Sequence, residues 1–283
     1  MHLDPGPLVV VLVLVAAVLH AGWNAVAHAA VDRLVGFALI SVATLVIGGV
    51  LVVSRPVPDG HDLALACTSA SLHVAYLLLL WLSYEHGDLS RSYPIARGSG
   101  VALVAVASFF VPRSPTGPAV LVGVALVVGG LVGVAVAGGG GSRRGLVAAL
   151  ATGVAIAGYT VVDGLAVSGG AEVAAYAGWI FLLMSWPLPL LALALRRGAL
   201  LRLPRRQLLT GLAGGAVSLL AYALVLIAQT SGALAAVAAL RELSIAVGVV
   251  LGAAVLHEPA ARRRLLPAVV LTAGAVVLAL SIT

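Results

Sequence analysis

The chain has 283 residues, of which 62% are hydrophobic and only 9% charged, and its mean hydropathy is +1.17. A soluble domain averages about 25% charged residues, so this composition excludes one and indicates an integral membrane protein. The net charge is +6 and all 16 basic residues are arginines scattered between apolar segments. This distribution is typical of membrane-protein loops rather than of a nucleic-acid-binding surface.

Ten apolar segments are long enough to cross the membrane, because a helix needs about 20 residues to span the hydrocarbon core. Short connections rich in proline, glycine or arginine separate them. The N-terminal MHLDPGP lacks the basic region of a signal peptide, so we expect the first segment to be retained as a helix. The predicted spans are residues 8–30, 34–53, 63–84, 90–111, 117–137, 146–167, 173–195, 208–229, 233–256 and 265–282.

A sequence offset of 144 residues relates the two halves of the chain. It links three pairs of residues: Arg97 with Arg241, Pro115 with Pro259, and Gly130 with Gly274. Five spans per half is an odd number, so the halves must enter the membrane in opposite directions. We therefore predict an all-α integral membrane fold of ten transmembrane helices, arranged as two inverted five-helix repeats over residues 1–140 and 141–283.

The arginines predict the orientation of the chain. Loops on the side of the N-terminus hold two of them, Arg55 and Arg113, whereas the opposite loops hold twelve. Because arginine favours cytoplasmic loops, both termini are expected outside the cytoplasm of a bacterial-type plasma membrane.

Several polar side chains lie within the spans and share helix faces. Their spacing of three or four residues places them on interior surfaces, where they either line a cavity or form interhelical hydrogen bonds. His20 and His28 lie eight residues apart on one face of the first span. Without a convergent third ligand, we do not predict a metal site there. The residues are His20, Trp23, Asn24 and His28 in the first span, His73 and Tyr76 in the third, Tyr159 and Asp163 in the sixth, and Tyr222 in the eighth.

Arg97 and Arg241 lie deep inside their predicted spans. A charge in hydrocarbon costs several kcal/mol unless it faces a partner or a wet cavity, so both arginines are candidate functional residues. A guanidinium can hold a carboxylate or phosphonate bidentately, although snorkelling or pairing with a protein acid is the alternative. Arg97 follows Tyr93 by one turn and has no acid nearby in sequence, whereas Glu242 follows Arg241 directly. We therefore expect Arg97 to bind substrate and Arg241 to be a structural or gating partner.

Proton coupling needs a group that can change its charge inside the membrane. Asp163 is the main candidate because a carboxylate within a span can be relieved by protonation. A structural role at the helix end is the alternative. Further candidates are His20, His28 and Glu242.

Three sequence elements carry a resemblance to a known family. They are LHAGWNAVAHAA in the first span, GDLSRSYPIARGSG at the start of the fourth, and RELSIAVGVVLGAAVLHEP in the ninth. With the ten spans, they resemble the EamA family of the drug/metabolite transporter superfamily, and most closely a subgroup that includes members associated with phosphonate utilisation. The first half has FFVPRSPTG where a Gly-Glu pair is expected, whereas the second half keeps the acid in LHEP.

The resemblance implies secondary transport of a small metabolite through a central cavity, often as export of amino acids or related compounds. We expect a small-molecule substrate, a lipid bilayer as surroundings, no cofactor, no enzymatic activity, and a monomer or homodimer. A non-transporting membrane sensor or assembly subunit that reuses the fold is the alternative. The predicted substrate site comprises Trp23, Asn24, His73, Tyr76, Tyr93, Arg97, Tyr159, Tyr222 and Arg241.

Overall fold

The computed structural model describes residues 7–108, 118–137, 142–231, 237, 240–241, 243–258 and 261–282. Within these ranges the chain forms eleven helices and no strand. A helix satisfies all backbone hydrogen bonds within one segment, as hydrocarbon requires. The helices are α1 Pro7–Ala29, α2 Arg33–Ser54, α3 Gly60–Glu85, α4 Leu89–Ser108, α5 Pro118–Val136, α6 Arg143–Ser168, α7 Val173–Met184, α8 Pro187–Leu201, α9 Arg205–Gln229, α10 Leu243–Ala254 and α11 Ala261–Ile282.

Six helical segments are apolar and long enough to cross a membrane by length and composition. They are α1, α2, α3, α6, α9 and the α7–α8 pair, which together run over Val173–Leu200. The chain is therefore a multi-pass membrane protein. Shorter apolar helices lie at Leu121–Val136 and Leu243–Ala254, and the full count of ten spans stays a prediction.

Two predicted spans differ in detail from the helices observed. The seventh is divided, because α7 ends at Met184 and α8 begins at Pro187. Proline has no N–H to continue the helical hydrogen bonds, and it is well tolerated at the first position of a new helix. In the ninth, Arg241 lies in a turn directly before α10, not inside a continuous helix. The backbone N–H of Ser244 donates to the carbonyl oxygen of Arg241 at 3.0 Å, which closes this turn.

The packing of α5 against α11 is reciprocal. Gly130 of α5 lies against the backbone of Leu271, and Gly274 of α11 lies against the backbone of Val127. The same 144-residue offset separates Val127 from Leu271 and Gly130 from Gly274, so each contact recurs with the partners exchanged. The two glycines thus allow the backbones of α5 and α11 to approach closely at two places.

The α2–α7 contact shows the same reciprocity with an offset of 130. Gly48 lies against Phe181, and Gly178 lies against Leu51. Four further pairs of helix contacts have the same exchanged form: α3–α6 with α1–α9, α4–α6 with α1–α10, α2–α9 with α3–α7, and α4–α5 with α10–α11. Other contacts, such as α1–α2 and α4–α11, have no such counterpart among the described contacts.

The connections that carry most of the arginines meet at one end of the helix bundle. They are joined by four contacts: His28 Nε2 to the Gly87 oxygen at 3.4 Å, Ser142 N to the His86 oxygen at 3.2 Å, Arg264 Nε to the Ala137 oxygen at 3.1 Å, and Arg196 Nε to Asp32 Oδ2 at 2.7 Å. We call this end the arginine-rich end. Its cytoplasmic location, and hence the position of the termini, stays a prediction.

Candidate functional site

Asp163 is the centre of a buried hydrogen-bond cluster. Its side chain lies on α6 and is 2% exposed. Oδ1 accepts hydrogen bonds from Ser69 Oγ at 2.5 Å and from the Tyr176 hydroxyl at 3.0 Å, and Oδ2 accepts one from the Tyr222 hydroxyl at 2.6 Å. A buried carboxylate is costly without such partners. Three hydroxyls from α3, α7 and α9 therefore hold this carboxylate, and we call the four residues the carboxylate cluster.

His73 extends this cluster along α3. Its Nδ1 lies 2.9 Å from the carbonyl oxygen of Ser69 and 3.2 Å from Ser69 Oγ. A carbonyl oxygen only accepts hydrogen bonds, so Nδ1 carries the proton and Nε2 of the neutral ring is an acceptor. The imidazole stacks on Tyr159 with ring centroids 3.9 Å apart, and Tyr222 and Tyr76 present their rings edge-on at 5.2 and 6.2 Å. The ring is thus fixed between aromatic side chains.

The two predicted membrane arginines are both buried, with Arg97 2% and Arg241 5% exposed. Helices α4 and α10 run antiparallel, since Ser90 lies against Gly252 and Tyr93 against Gly248. One further turn along each helix brings Arg97 opposite Ser244, at the first turn of α10. The start of α10 therefore lies between the two arginines.

Ser244 adds a polar group to this region. Its side chain is fully buried, and within the described residues its Oγ has no hydrogen-bond partner. Its backbone N–H already belongs to the turn that follows Arg241. The hydroxyl therefore lies in the first turn of α10, three residues after Arg241.

His20, Tyr76 and Tyr93 belong to the same region. The ring of His20 lies 6.5 Å from the ring of Tyr93, and Arg97 and Arg241 both lie within electrostatic range of His20 and of Tyr76. The structure thus brings five predicted residues together, which we call the arginine cluster: His20, Tyr76, Tyr93, Arg97 and Arg241. Tyr76 and His73, in edge-on contact on α3, connect it to the carboxylate cluster.

Trp23 and Asn24 lie beside the arginine cluster in packing positions. Trp23 donates from Nε1 to His20 Nδ1 at 3.4 Å, and its ring meets Phe37 edge-on. Asn24 uses both ends of its amide, since Oδ1 accepts from the Tyr84 hydroxyl at 2.7 Å and Nδ2 donates to the His20 carbonyl oxygen at 2.8 Å. These contacts position α1, and direct substrate binding by either residue stays a prediction.

His28 lies apart from these clusters, at the arginine-rich end. Its Nε2 is 3.9 Å from Glu258 Oε1. The carboxylate of Glu258 accepts hydrogen bonds from the backbone N–H groups of Leu89 at 2.7 Å and Ser90 at 3.0 Å, so it caps the N-terminus of α4 from the other half of the chain. An anion at this position is stabilised by the helix dipole. Glu242, Pro115 and Pro259 lie outside the described residues.

Arg264 completes the contact at this end. It is fully buried and donates to Asp88 Oδ2 at 3.0 Å, to Ser90 Oγ at 2.6 Å and to the Ala137 oxygen at 3.1 Å. One guanidinium therefore ties the start of α4 to the end of α5 and the start of α11. This contact and the Glu258 cap join distant segments of the chain at the arginine-rich end.

Sequence reasoning missed four residues of these clusters. Ser69 precedes His73 by one helical turn, so its position on the same face of α3 was a usable signal. Tyr176 and Arg264 lie near the ends of helices, where polar side chains usually meet water or the interface, and nothing in their spacing distinguished them. Glu258 was noted only as the acid of LHEP, and its partners were not predicted. Only the fold shows which partners they have.

No protein-family model matches the sequence, and no curated protein matches it. The chain is similar to a solved crystal structure with 16% sequence identity and a TM-score of 0.57, over 95% of each chain. At this identity the likeness concerns the fold alone. Fold and composition together define the class of the molecule as a multi-pass helical membrane protein.

Proposed function

We propose that the chain is a ten-helix secondary transporter of the EamA type, which moves a small anionic or zwitterionic metabolite by alternating access. An amino acid or a phosphonate-like compound fits this class, and export is the favoured direction. The observation that carries the proposal is the burial of Arg97 and Arg241, both within electrostatic range of His20 and Tyr76. The inner membrane of a bacterial-type cell is the corresponding location.

The chemistry of the arginine cluster supports an anionic substrate. Two guanidinium groups inside an apolar bundle favour a compensating negative charge, and each can bind a carboxylate or phosphonate oxygen pair. The N-terminus of α10 adds a positive dipole end, and the hydroxyl of Ser244 adds a hydrogen-bond donor. Transporters commonly bind anionic groups where a membrane helix is interrupted, as the ninth span is at Arg241.

The reciprocal packing supports two inverted repeats, which would be residues 1–140 and 141–283. Equivalent surfaces of the two halves meet at α2–α7 and at α5–α11. Exchange of conformations between such halves is the geometric basis of alternating access. Glu258 and Arg264 join distant segments of the chain at the arginine-rich end, so the opposite end is the one expected to admit substrate.

A ligand panel on the purified chain tests the proposal. Amino acids and small phosphonates such as methylphosphonate should include a compound that raises the unfolding temperature, because binding to the folded state alone stabilises it. The same compound should show counterflow in proteoliposomes. Arg97→Ala should abolish both effects, whereas Arg262→Ala, at an exposed position of α11, should preserve them. Binding without counterflow in the intact chain would favour the sensor or assembly subunit instead.

A further inference from the structure

We infer that Ser69, His73 and Asp163 form a proton relay that leads from the arginine cluster to the Asp163 carboxylate. The inference rests on the proposed transport, for which the relay would supply coupling to a proton gradient. It assigns Ser69 as a positioning residue that joins two titratable groups. It also assigns Tyr176 and Tyr222 as the hydroxyls that hold the carboxylate.

The contacts form one continuous hydrogen-bonded chain. His73 Nδ1 is 3.2 Å from Ser69 Oγ, and Ser69 Oγ donates to Asp163 Oδ1 at 2.5 Å. All three side chains are buried, with exposures of 4% or less. Water therefore does not need to enter between the imidazole and the carboxylate for a proton to pass.

The proton movement balances along this chain. A proton from water in the substrate site binds Nε2 of His73, while the Nδ1 proton passes to Ser69 Oγ. The hydroxyl proton of Ser69 then passes to Oδ1 of Asp163. The imidazole ends neutral in its other tautomer, in which Nδ1 accepts from the regained Ser69 hydroxyl and no longer donates to the Ser69 carbonyl oxygen. The carboxylate becomes a neutral carboxyl group. One proton has been taken up, and the charge of the cluster rises from −1 to zero.

Phenol groups, aromatic rings and a serine surround the relay. The imidazole of His73 and the carboxylate of Asp163 are therefore the groups that exchange protons. From α7 and α9, Asp163 accepts hydrogen bonds from the phenol groups of Tyr176 and Tyr222. Tyr159 of α6 and Tyr76 of α3 contact the imidazole through their rings. The face of α4 that packs on α6 contributes Ser99, next to Gly153.

Charged side chains lie at both ends of the relay. Arg241 is within electrostatic range of His73, and Asp62 is within range of Tyr176. An anionic substrate bound at Arg241 would change the field at the imidazole. Substrate binding and protonation of the relay are thereby linked.

The far end of the relay lies near a cavity. A space of about 500 Å³ opens between α2, α7 and α9 and is lined by Phe181, Ala177 and Leu219 among others. The ring of Phe181 contacts the ring of Tyr222 with centroids 5.3 Å apart. The ring of Phe181 therefore lies between this cavity and Tyr222, whose hydroxyl holds Asp163.

Spectroscopy on the purified full chain tests the relay without a substrate. A pH titration followed by infrared spectroscopy should show the carbonyl stretch of a protonated carboxyl group, and Asp163→Asn should remove it. Nitrogen NMR of the histidine rings should show His73 changing tautomer over the same pH interval. In Ser69→Thr, which keeps the hydroxyl, the carboxyl band and the tautomer change should still appear over the same pH interval. In Ser69→Ala they should not. Ser71→Ala is the matched control, since Ser71 is exposed and bonded only to the Cys67 carbonyl oxygen.

Transport measurements separate the relay from the proposed function. In proteoliposomes with methylphosphonate, Ser69→Ala should reduce the accumulation driven by a pH gradient at least about tenfold, because a hydrogen bond to a charged group is lost. Counterflow of methylphosphonate should be preserved in the same variant. A chain that moves no panel compound by counterflow would contradict the transport proposal but not the spectroscopic result. The relay would be overturned if the His73 tautomer changed in Ser69→Ala as it does in wild type, or if no carboxyl band depended on pH. It would also be overturned if adding sodium at constant pH produced the same change in the band.

Discussion

The α5–α11 contact gives a stability prediction that depends on one methyl group. A Cβ atom at Gly130 would lie 2.5 Å from the backbone nitrogen of Leu271 and 2.6 Å from its Cβ. Both atoms belong to or adjoin the backbone of α11, so they cannot move aside by a rotamer change. Gly130→Ala must therefore push the two helices apart.

The neighbouring Gly129 is the matched control, because a Cβ there would meet nothing within 4 Å. In a helix, replacing glycine by alanine contributes up to about 1 kcal/mol through propensity, and this gain applies to both positions. The difference between the two variants therefore isolates the cost of overpacking, which is about 1–3 kcal/mol. Gly129→Ala should stabilise the chain, and Gly130→Ala should be less stable than it by this amount.

Reversible unfolding of the detergent-solubilised chain measures the difference. Gly274→Ala should behave like Gly130→Ala, since its Cβ would lie 2.7 Å from the backbone nitrogen of Val127. The two substitutions should be non-additive, because once the helices separate the second methyl group meets less resistance. Equal stability of Gly129→Ala and Gly130→Ala would refute this account of the packing.

Two further substitutions test the buried polar contacts by the same unfolding measurement. Tyr222→Phe should lower stability by about 1.5–3 kcal/mol, because Asp163 loses a hydrogen bond to a charged acceptor; an unchanged stability would show that this bond is replaced at no cost. Arg264→Ala should cost about 1–3 kcal/mol, because the Ser90 hydroxyl and the Ala137 carbonyl oxygen lose a buried donor, whereas the Asp88 side chain is 38% exposed and stays hydrated. Arg262→Ala, two residues earlier and exposed, should leave stability unchanged, and a similar loss in both variants would contradict the role given to Arg264.

The sequence predicted the membrane class and most helix positions, because apolar runs of about 20 residues are typical of membrane-spanning helices. Gly130 and Gly274, one of the pairs related by the offset of 144, both lie in the contact between α5 and α11, and the inverted repeat itself stays a prediction. The break before α10 could not be predicted. The residues around Arg241 continue an apolar pattern, and only the turn at Ser244 shows where the helix starts.

The candidate site was predictable in its residue types but not in its partners. Charges and aromatic side chains within spans identified Arg97, Asp163 and Tyr222, because each is costly or unusual in hydrocarbon. Their arrangement depends on helix rotation and on contacts between distant segments, such as that of Ser69 with Asp163 across 94 residues. Helical spacing gives the face of one helix but not the helix it meets.

The most direct test of the central claim is counterflow of a labelled anion through the reconstituted chain, with Arg97→Ala and Arg97→Lys compared to wild type. The lysine keeps the positive charge but loses the bidentate geometry of the guanidinium. The proposed site predicts that the anion exchanges in wild type, that alanine abolishes the exchange, and that lysine restores part of it. Equal exchange rates in all three proteins would contradict an anion site at Arg97.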